Sequence, residues 1–542
     1  MKCLTVVALS GLFVACSPND DDEASFQFID ESAQRGLDYS YISGSTEDRR
    51  LPEIMGGGVA LFDSDLDGDI DAYFIQSGQV DTRSPSYANV LFLNNGLGEF
   101  KLHNAAAASL DLGYSMGVAI GDVNQDALPD IFVTQLGKNK LLINEGLNQY
   151  RDATAEAGFL QSDWSTATAF ADFDLDGDLD LWVVNYIEWS TALKPECYQT
   201  MLGSRDYCSP LHFEAPAQDR VFRNLGDGRF AEVTDESGVF GTKGNGLGIV
   251  TADFNGDNLI DVFVANDTSP NHLWLNQGNF QFENRAAIWN CAVDQHGDAR
   301  AGMGIVATDI DDDSDQDVIV VHITTQSDYV FSNEGDYFRD VAPQVGMSIH
   351  SQRYTRFGLV VNDLNNDGWL DIFEANGAVS RLSKPHNGDQ FAEPNSLYAG
   401  NADGKFEMIN YDGGIFTSRA AAVGDVNNDG TLEIVVVDRD ATVKLLVNHS
   451  QRLGNWILLN LRDTYNRPAL GAKVSLNIGD RTVTRVVQQA SSYLASNDPR
   501  LHFGLGGNPG VSNVRIRWLS GAEKQIDWLD AGQIATIVED KS

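Results

Sequence analysis

The sequence predicts an all-β chain, a seven-bladed β-propeller followed by a small β-sandwich or barrel-like domain. Three observations predict it. A nine-residue acidic motif recurs seven times, and each copy lies between two strand-forming runs. Beyond about residue 450 the motif stops, and apolar–polar alternation continues between Gly, Asn and Pro turns.

The copies begin at Asp63, Asp122, Asp172, Asp253, Asp309, Asp363 and Asp425, with DSDLDGDID (Asp63 to Asp71) and DFDLDGDLD (Asp172 to Asp180) the sharpest. Positions one, three, five and nine are Asp, Asn or Glu in every copy. They are Asp63, Asp65, Asp67 and Asp71; Asp122, Asn124, Asp126 and Asp130; Asp172, Asp174, Asp176 and Asp180; Asp253, Asn255, Asp257 and Asp261. The remaining sets are Asp309, Asp311, Asp313 and Asp317; Asp363, Asn365, Asp367 and Asp371; Asp425, Asn427, Asp429 and Glu433. If the chain curls after position five, these oxygens converge. A backbone carbonyl at position seven (Asp69, Leu128, Asp178, Leu259, Asp315, Trp369 or Thr431) and a water then complete a hard-cation shell. An EF-hand is excluded, because six of seven copies lack an acidic residue at position twelve and the flanks are strand-like. Neither His nor Cys occurs in the loops, which favours Ca²⁺ over zinc or copper at up to seven sites. Seven Ca²⁺ would bring the formal charge from −41 to −27. Position six should be left-handed, which suits Gly68, Gly177, Gly368 and Gly430, and Asn258 tolerates it. Ala127 and Ser314 suit it less, and loop two also carries Asn124 and Pro129, so loops two and five rank as the weaker sites.

Each loop follows a run of small and apolar residues (GGGVALF, MGVAIG, LGIVTA) and precedes a strand (AYFI, IFVT, VFVA). A third strand ends in asparagine, as in LLINEG and LWLNQG, and a fourth starts from an aromatic residue. The fourth unit also stands before the first loop, at Phe26 to Leu37, and is missing after the seventh. The N-terminal strand should therefore complete the last blade and close the ring over residues 26–449. One spacing of 81 residues, against 50 to 62 elsewhere, marks an insert at about 186–219.

A pI near 4.3 argues against nucleic-acid binding and against adsorption to anionic lipid. Residues 1–15 read as a signal peptide, and FVAC resembles a bacterial lipobox that would lipidate Cys16, with residues 16–25 as a tether. The alternative is an ordinary signal peptide cleaved nearby. The expected location is an exported lipoprotein of the outer membrane, with membrane contact through the lipid alone. Cys197 and Cys208, close together in the insert, are the expected disulfide, and Cys291 a buried thiol.

Loops of the form DxDxDGxxD after small apolar strands resemble the FG-GAP or VCBS repeats of integrin α-subunit propellers, which implies an integrin-α-like propeller with calcium in its hairpin loops. The whole chain resembles the cartilage acidic protein family through VANDTSPNHLWLNQG (Val264 to Gly278), DYCSPLHF (Asp206 to Phe213) and AGMGIVATDIDDD (Ala301 to Asp313). EANGAV, Glu374 to Val379, departs from it by carrying Ala378 where the family has histidine after Asn-Gly. Residues 455–538 resemble the ASPIC/UnbV domain, and Ser491, Ser492, Asp498 and His502 within them form no arguable hydrolase triad.

Two functions fit. One is an envelope-anchored, calcium-stabilised module binding a protein or glycan, of unstated oligomeric state. The other is an enzyme acting on a carbohydrate or small molecule at the channel mouth. Glu53, Arg300, Arg356 and Arg419 stand just before inner strands, and Asn266 and Asp267 after a second strand, so these six are the candidate ligand residues. They could equally satisfy loop carbonyls.

Overall fold

The computed structural model describes residues 26–540 except 83, 104–112, 387 and 452. The signal segment, Cys16 and the tether lie outside the described residues. Seven four-stranded antiparallel blades follow one another around a channel. Their inner strands are Val59–Phe62, Ser115–Gly121, Asp163–Ala171, Gly246–Ala252, Ile305–Thr308, Arg356–Asn362 and Ser418–Gly424. The small residues that open these strands let neighbouring blades approach. A Cβ on Gly304 would strike the backbone carbonyl of Phe357 in the next blade. The ring closes through the N-terminal strand Phe28–Asp30, which pairs antiparallel with Lys444–Asn448 of blade 7 and leaves no open seam.

The core is distributed between blades rather than central. Each pair of neighbours shares its own apolar cluster, as Phe173, Trp182, Trp274 and Phe282 do between blades 3 and 4. Cys291 lies in the cluster between blades 4 and 5, where burial raises its thiol pKa. The long spacing is an excursion between the second and third strands of blade 3, Asp180–Asn185 and Arg220–Asn224. It contains the hairpin Cys197–Gln199 with Ser204–Asp206 and a Cys197–Cys208 disulfide.

The asparagine that ends each third strand has a role its repetition alone does not reveal. Its amide reaches back to the preceding blade. Asn94 donates to Val426 O (2.6 Å), Asn144 to Ser64 O (3.0 Å) and Asn224 to Val123 O (2.9 Å). Asn276 donates to Phe173 O (2.8 Å), Asn333 to Phe254 O (2.8 Å) and Asn448 to Leu364 O (2.6 Å). Blade 6 has Gly400 there, because a side chain would collide with Leu370 O. Asn276→Ala removes bonds to Phe173 O and Ile260 O and leaves both carbonyls buried. It should cost about 2–3 kcal/mol in urea unfolding, from the usual penalty for stranded polar groups.

The C-terminal domain packs two sheets around Ile457, Leu459, Val474, Phe503, Val514 and Trp518. In one sheet Asn455–Arg462 lies between Leu501–Gly506 and Gln533–Val538; the other contains Arg481–Val486, Lys473–Ile478, Gly510–Arg517 and Glu523–Asp530. Its segment 489–499 leaves the domain and threads the propeller channel. Ala495–Ser496 adds a short parallel strand to Val59–Ala60 of blade 1. Ser492 exchanges both backbone hydrogen bonds with Ile305 of blade 5, and its hydroxyl accepts from Leu359 N–H of blade 6 at 2.9 Å. Asn497 Oδ1 accepts from Val423 N–H of blade 7 at 2.9 Å. The space left beside blades 2 to 4 is about 10 Å³, room for one water at most. The channel is plugged.

Candidate functional site

All seven acidic loops join a first to a second blade strand and share one hydrogen-bond plan. The position-six N–H donates to the position-one carboxylate, from Gly68 to Asp63 (3.1 Å) through Gly430 to Asp425 (2.9 Å). The position-two N–H donates to the position-nine carboxylate, at 2.8 to 3.2 Å. Position nine is also tied to the third strand, as Asp317 Oδ1 is by the N–H of Asn333 at 2.7 Å. Position six is left-handed in every loop, including Ala127 and Ser314. Position four is left-handed too, from Leu66 (φ 64°) to Asn428 (φ 57°), which the motif did not reveal. Two left-handed residues per loop turn successive side chains inward at some cost in backbone energy, an arrangement typical of ligand clamps.

The carboxylates converge where position three is aspartate. Asp63, Asp65 and Asp67, then Asp172, Asp174 and Asp180, then Asp309, Asp311 and Asp317 each bring oxygens within 4.8 Å of one another. Loop five, ranked weaker for Ser314, therefore assembles a carboxylate trio as loops one and three do. Loops two, four, six and seven place an asparagine amide oxygen at position three. There Asn124, Asn255 and Asn365 also donate to Asp126, Asp257 and Asp367 at 2.9–3.0 Å. Burial pushes Asp71 up to about 7, Asp317 to about 8 and Asp180 to about 9. It pushes Asp63 and Asp172 up to about 6 and Asp309 to about 7. Charged carboxylates so enclosed call for a cation, and the all-oxygen donor set fits a hard one.

The C-terminal domain docks on these loops. Position-six carbonyls accept from Arg467 (Gly177 O, 2.8 Å), Lys473 (Ser314 O, 2.7 Å), Arg481 (Gly368 O) and His502 (Gly430 O, 3.1 Å). Arg500 donates to Asp425 O at 2.6 Å and pairs with Asp498 at 2.7 Å. Sequence reasoning missed this basic face; its signal is a run of arginines in a chain otherwise dominated by acid. Ser491 and Ser492, bonded to Asn497 and Leu359, assemble no triad with His502 or Asp498.

The candidate ligand residues at the mouth separate into two groups. Glu53, Arg356 and Arg419 are fully buried and internally satisfied, which corrects their reading as a ligand grip. Glu53 accepts from Thr46 (2.8 and 3.0 Å) and from Arg50 N–H. Arg356 pairs with Asp328 at 2.6 Å, and Arg419 caps Ile54, Gly377, Ser418 and Ala378 carbonyls while lying 4.1 Å over Phe357. Arg300 turns to Ser327 and stacks on Tyr329, and the Asn266 amide donates to Pro270 O. Asp267 alone lines a cavity of about 100 Å³, whose walls include Leu51, Ile54, Met55, Tyr207, Leu247, Met303 and Phe357. The three phrases that carry the family resemblance reach this cavity, through Asp267 and Thr268, Tyr207 to Pro210 and Met303, and the phrase that departs from it reaches it through Val379. Below it, Tyr493 at the tip of the plug donates to Met55 O at 3.1 Å and packs edge-on against Phe357.

A family model described as FG-GAP-like repeat matches residues 63–133, 122–183, 211–264, 253–320 and 309–374, and one described as ASPIC and UnbV matches 462–542. Blade 7 and its loop lie beyond the repeat matches and are placed by sheet pairing alone. Cartilage acidic protein 1 of Xenopus tropicalis is 24% identical over 314 residues, covering 56% of this chain and 38% of the relative. The Homo sapiens protein of that name is 22% identical over 311 residues, covering 56% and 37%. The aligned part thus spans under two fifths of these curated relatives. Among solved structures, a virginiamycin B lyase from Staphylococcus aureus aligns with TM-score 0.42 and 9% identity over 78% of this chain and 99% of that one. An Agrocybe aegerita lectin described as recognising non-reducing terminal N-acetylglucosamine aligns with TM-score 0.37 and 16% identity, over 66% and 81%. Both likenesses are too distant to bear on function.

Proposed function

The chain belongs to the FG-GAP-repeat family, with the domain architecture of cartilage acidic protein 1, and from that premise we propose a calcium-held binding module of the cell envelope. In this reading the propeller is displayed from a lipid on Cys16 at the outer membrane and recognises a protein or glycan. The observation that carries it is the shared plan of the seven loops, which fixes positions one and nine by backbone N–H groups, together with the three loops in which the position-three aspartate meets the position-one carboxylate and a third one. Positions one, three, five and nine, with the position-seven carbonyl, would hold Ca²⁺. The ion would supply the positive charge that the crowded carboxylates lack. The enzyme reading has no comparable support, since Glu53, Arg356 and Arg419 are engaged within the fold.

The test uses the full chain with and without chelator on immobilised glycan and protein arrays, beside labelled-palmitate incorporation in cells. Saturable binding to at least one surface, abolished by chelator, and label lost in Cys16→Ser are expected. Binding indifferent to calcium, or label retained in the variant, would count against the corresponding half of the reading.

A further inference from the structure

The mouth cavity offers a ligand the opposite charge from the one its sequence neighbourhood suggests. The arginines near it are engaged elsewhere, and Asp267 remains. Its Oδ2 accepts from the Tyr186 hydroxyl at 2.6 Å, and no basic side chain pairs with it among the described residues. The rest of the wall is aliphatic and aromatic, with Thr268, Ser209 and Ser380 as further polar residues. One carboxylate among apolar walls is too poor in oxygen for Ca²⁺ and repels an anion. It suits a positive group on an apolar body, because such a pair satisfies both the acid and the walls.

We propose that this cavity binds a primary alkylammonium group, with the ammonium on Asp267 and the hydrocarbon chain between Leu247, Met303 and Phe357. The volume sets the size. A dry cavity of about 150 Å³ admits benzene, so one of about 100 Å³ takes an alkyl body of about four or five carbons. Burial holds the Asp267 carboxyl up at about 6, only partly offset by the Tyr186 hydroxyl, and an ammonium would supply the missing counter-charge. The same chemistry is found in free alkylamines and in lysine side chains. The assignment rests on the binding-module reading and names the class of ligand recognised.

Titration calorimetry on the calcium-loaded full chain tests it, with n-pentylammonium, Nα-acetyl-lysine methylamide, n-pentanol and pentanoate as titrants. At least one of the two amines should bind saturably at one site, the preferred one telling free amine from lysine. Pentanol should bind roughly tenfold or more weaker, pentanoate not at all, and Asp267→Asn should weaken the amine roughly tenfold or more. Should Asp267→Asn fail to fold, Val379→Phe, which fills the cavity and keeps the carboxylate, must lose amine binding. No saturable amine binding, pentanol binding equally well, or unchanged binding in the variants would overturn the proposal. A melting temperature that still falls on chelation would then confine the failure to the cavity and spare the calcium reading.

Discussion

Removing calcium from the loaded protein should lower its melting temperature by roughly 10 °C or more, since each site held at a hundredfold excess over its Kd contributes about 2.7 kcal/mol. The loop geometry sharpens this into a contrast between two aspartates of one loop. Asp311 at position three has its oxygens turned to the proposed ion, whereas Asp317 at position nine also accepts the N–H groups of Ile310 and Asn333, at 2.8 and 2.7 Å. Asp311→Ala should therefore destabilise the protein in calcium and leave the chelated protein unchanged or slightly stabilised. Asp317→Ala should destabilise both by about 2–4 kcal/mol, because two buried backbone donors lose their partner. Equal effects of Asp311→Ala with and without calcium would show that the loop holds no ion.

Tyr493→Ala should cost about 3–5 kcal/mol, the usual range for truncating a large buried aromatic side chain. Its ring is fully buried at the end of the plug, against Phe357, and its hydroxyl is bonded to Met55 O. The loss should appear as deprotection of amides on both sides of the channel, at Ile305 and Leu359 as well as in the plug itself. Hydrogen exchange on the variant checks this. Protection unchanged at Ile305 would mean that the inner strands hold without the plug.

The periodic part of the molecule is the part legible in the sequence. Loop spacing, strand runs and the displaced fourth strand at Phe26 to Leu37 together predict seven blades closed by the N-terminus, and Phe28–Asp30 does pair with blade 7. A propeller repeats one local solution, so each copy of the pattern supports the others. The plug is not legible for the opposite reason. QQASSYLASNDPR occurs once, and nothing in its alternation says that it leaves its own domain to fill another's channel. The mouth was legible only as two alternatives for a related cause: Arg356 and Arg419 stand at the predicted place, and burial turns their guanidinium groups onto Asp328 and onto carbonyls, the structural one of the two. Residue type and position can nominate a ligand group; only packing shows whether it is free.

The most direct measurement is the calcium content of the metal-free chain after equilibration with millimolar calcium and passage through a desalting column, by elemental analysis. The loop geometry predicts several calcium ions per chain and at most seven, with loops one, three and five filling first because position three there is a carboxylate. Less than one calcium per chain, with the protein still folded, would contradict the account.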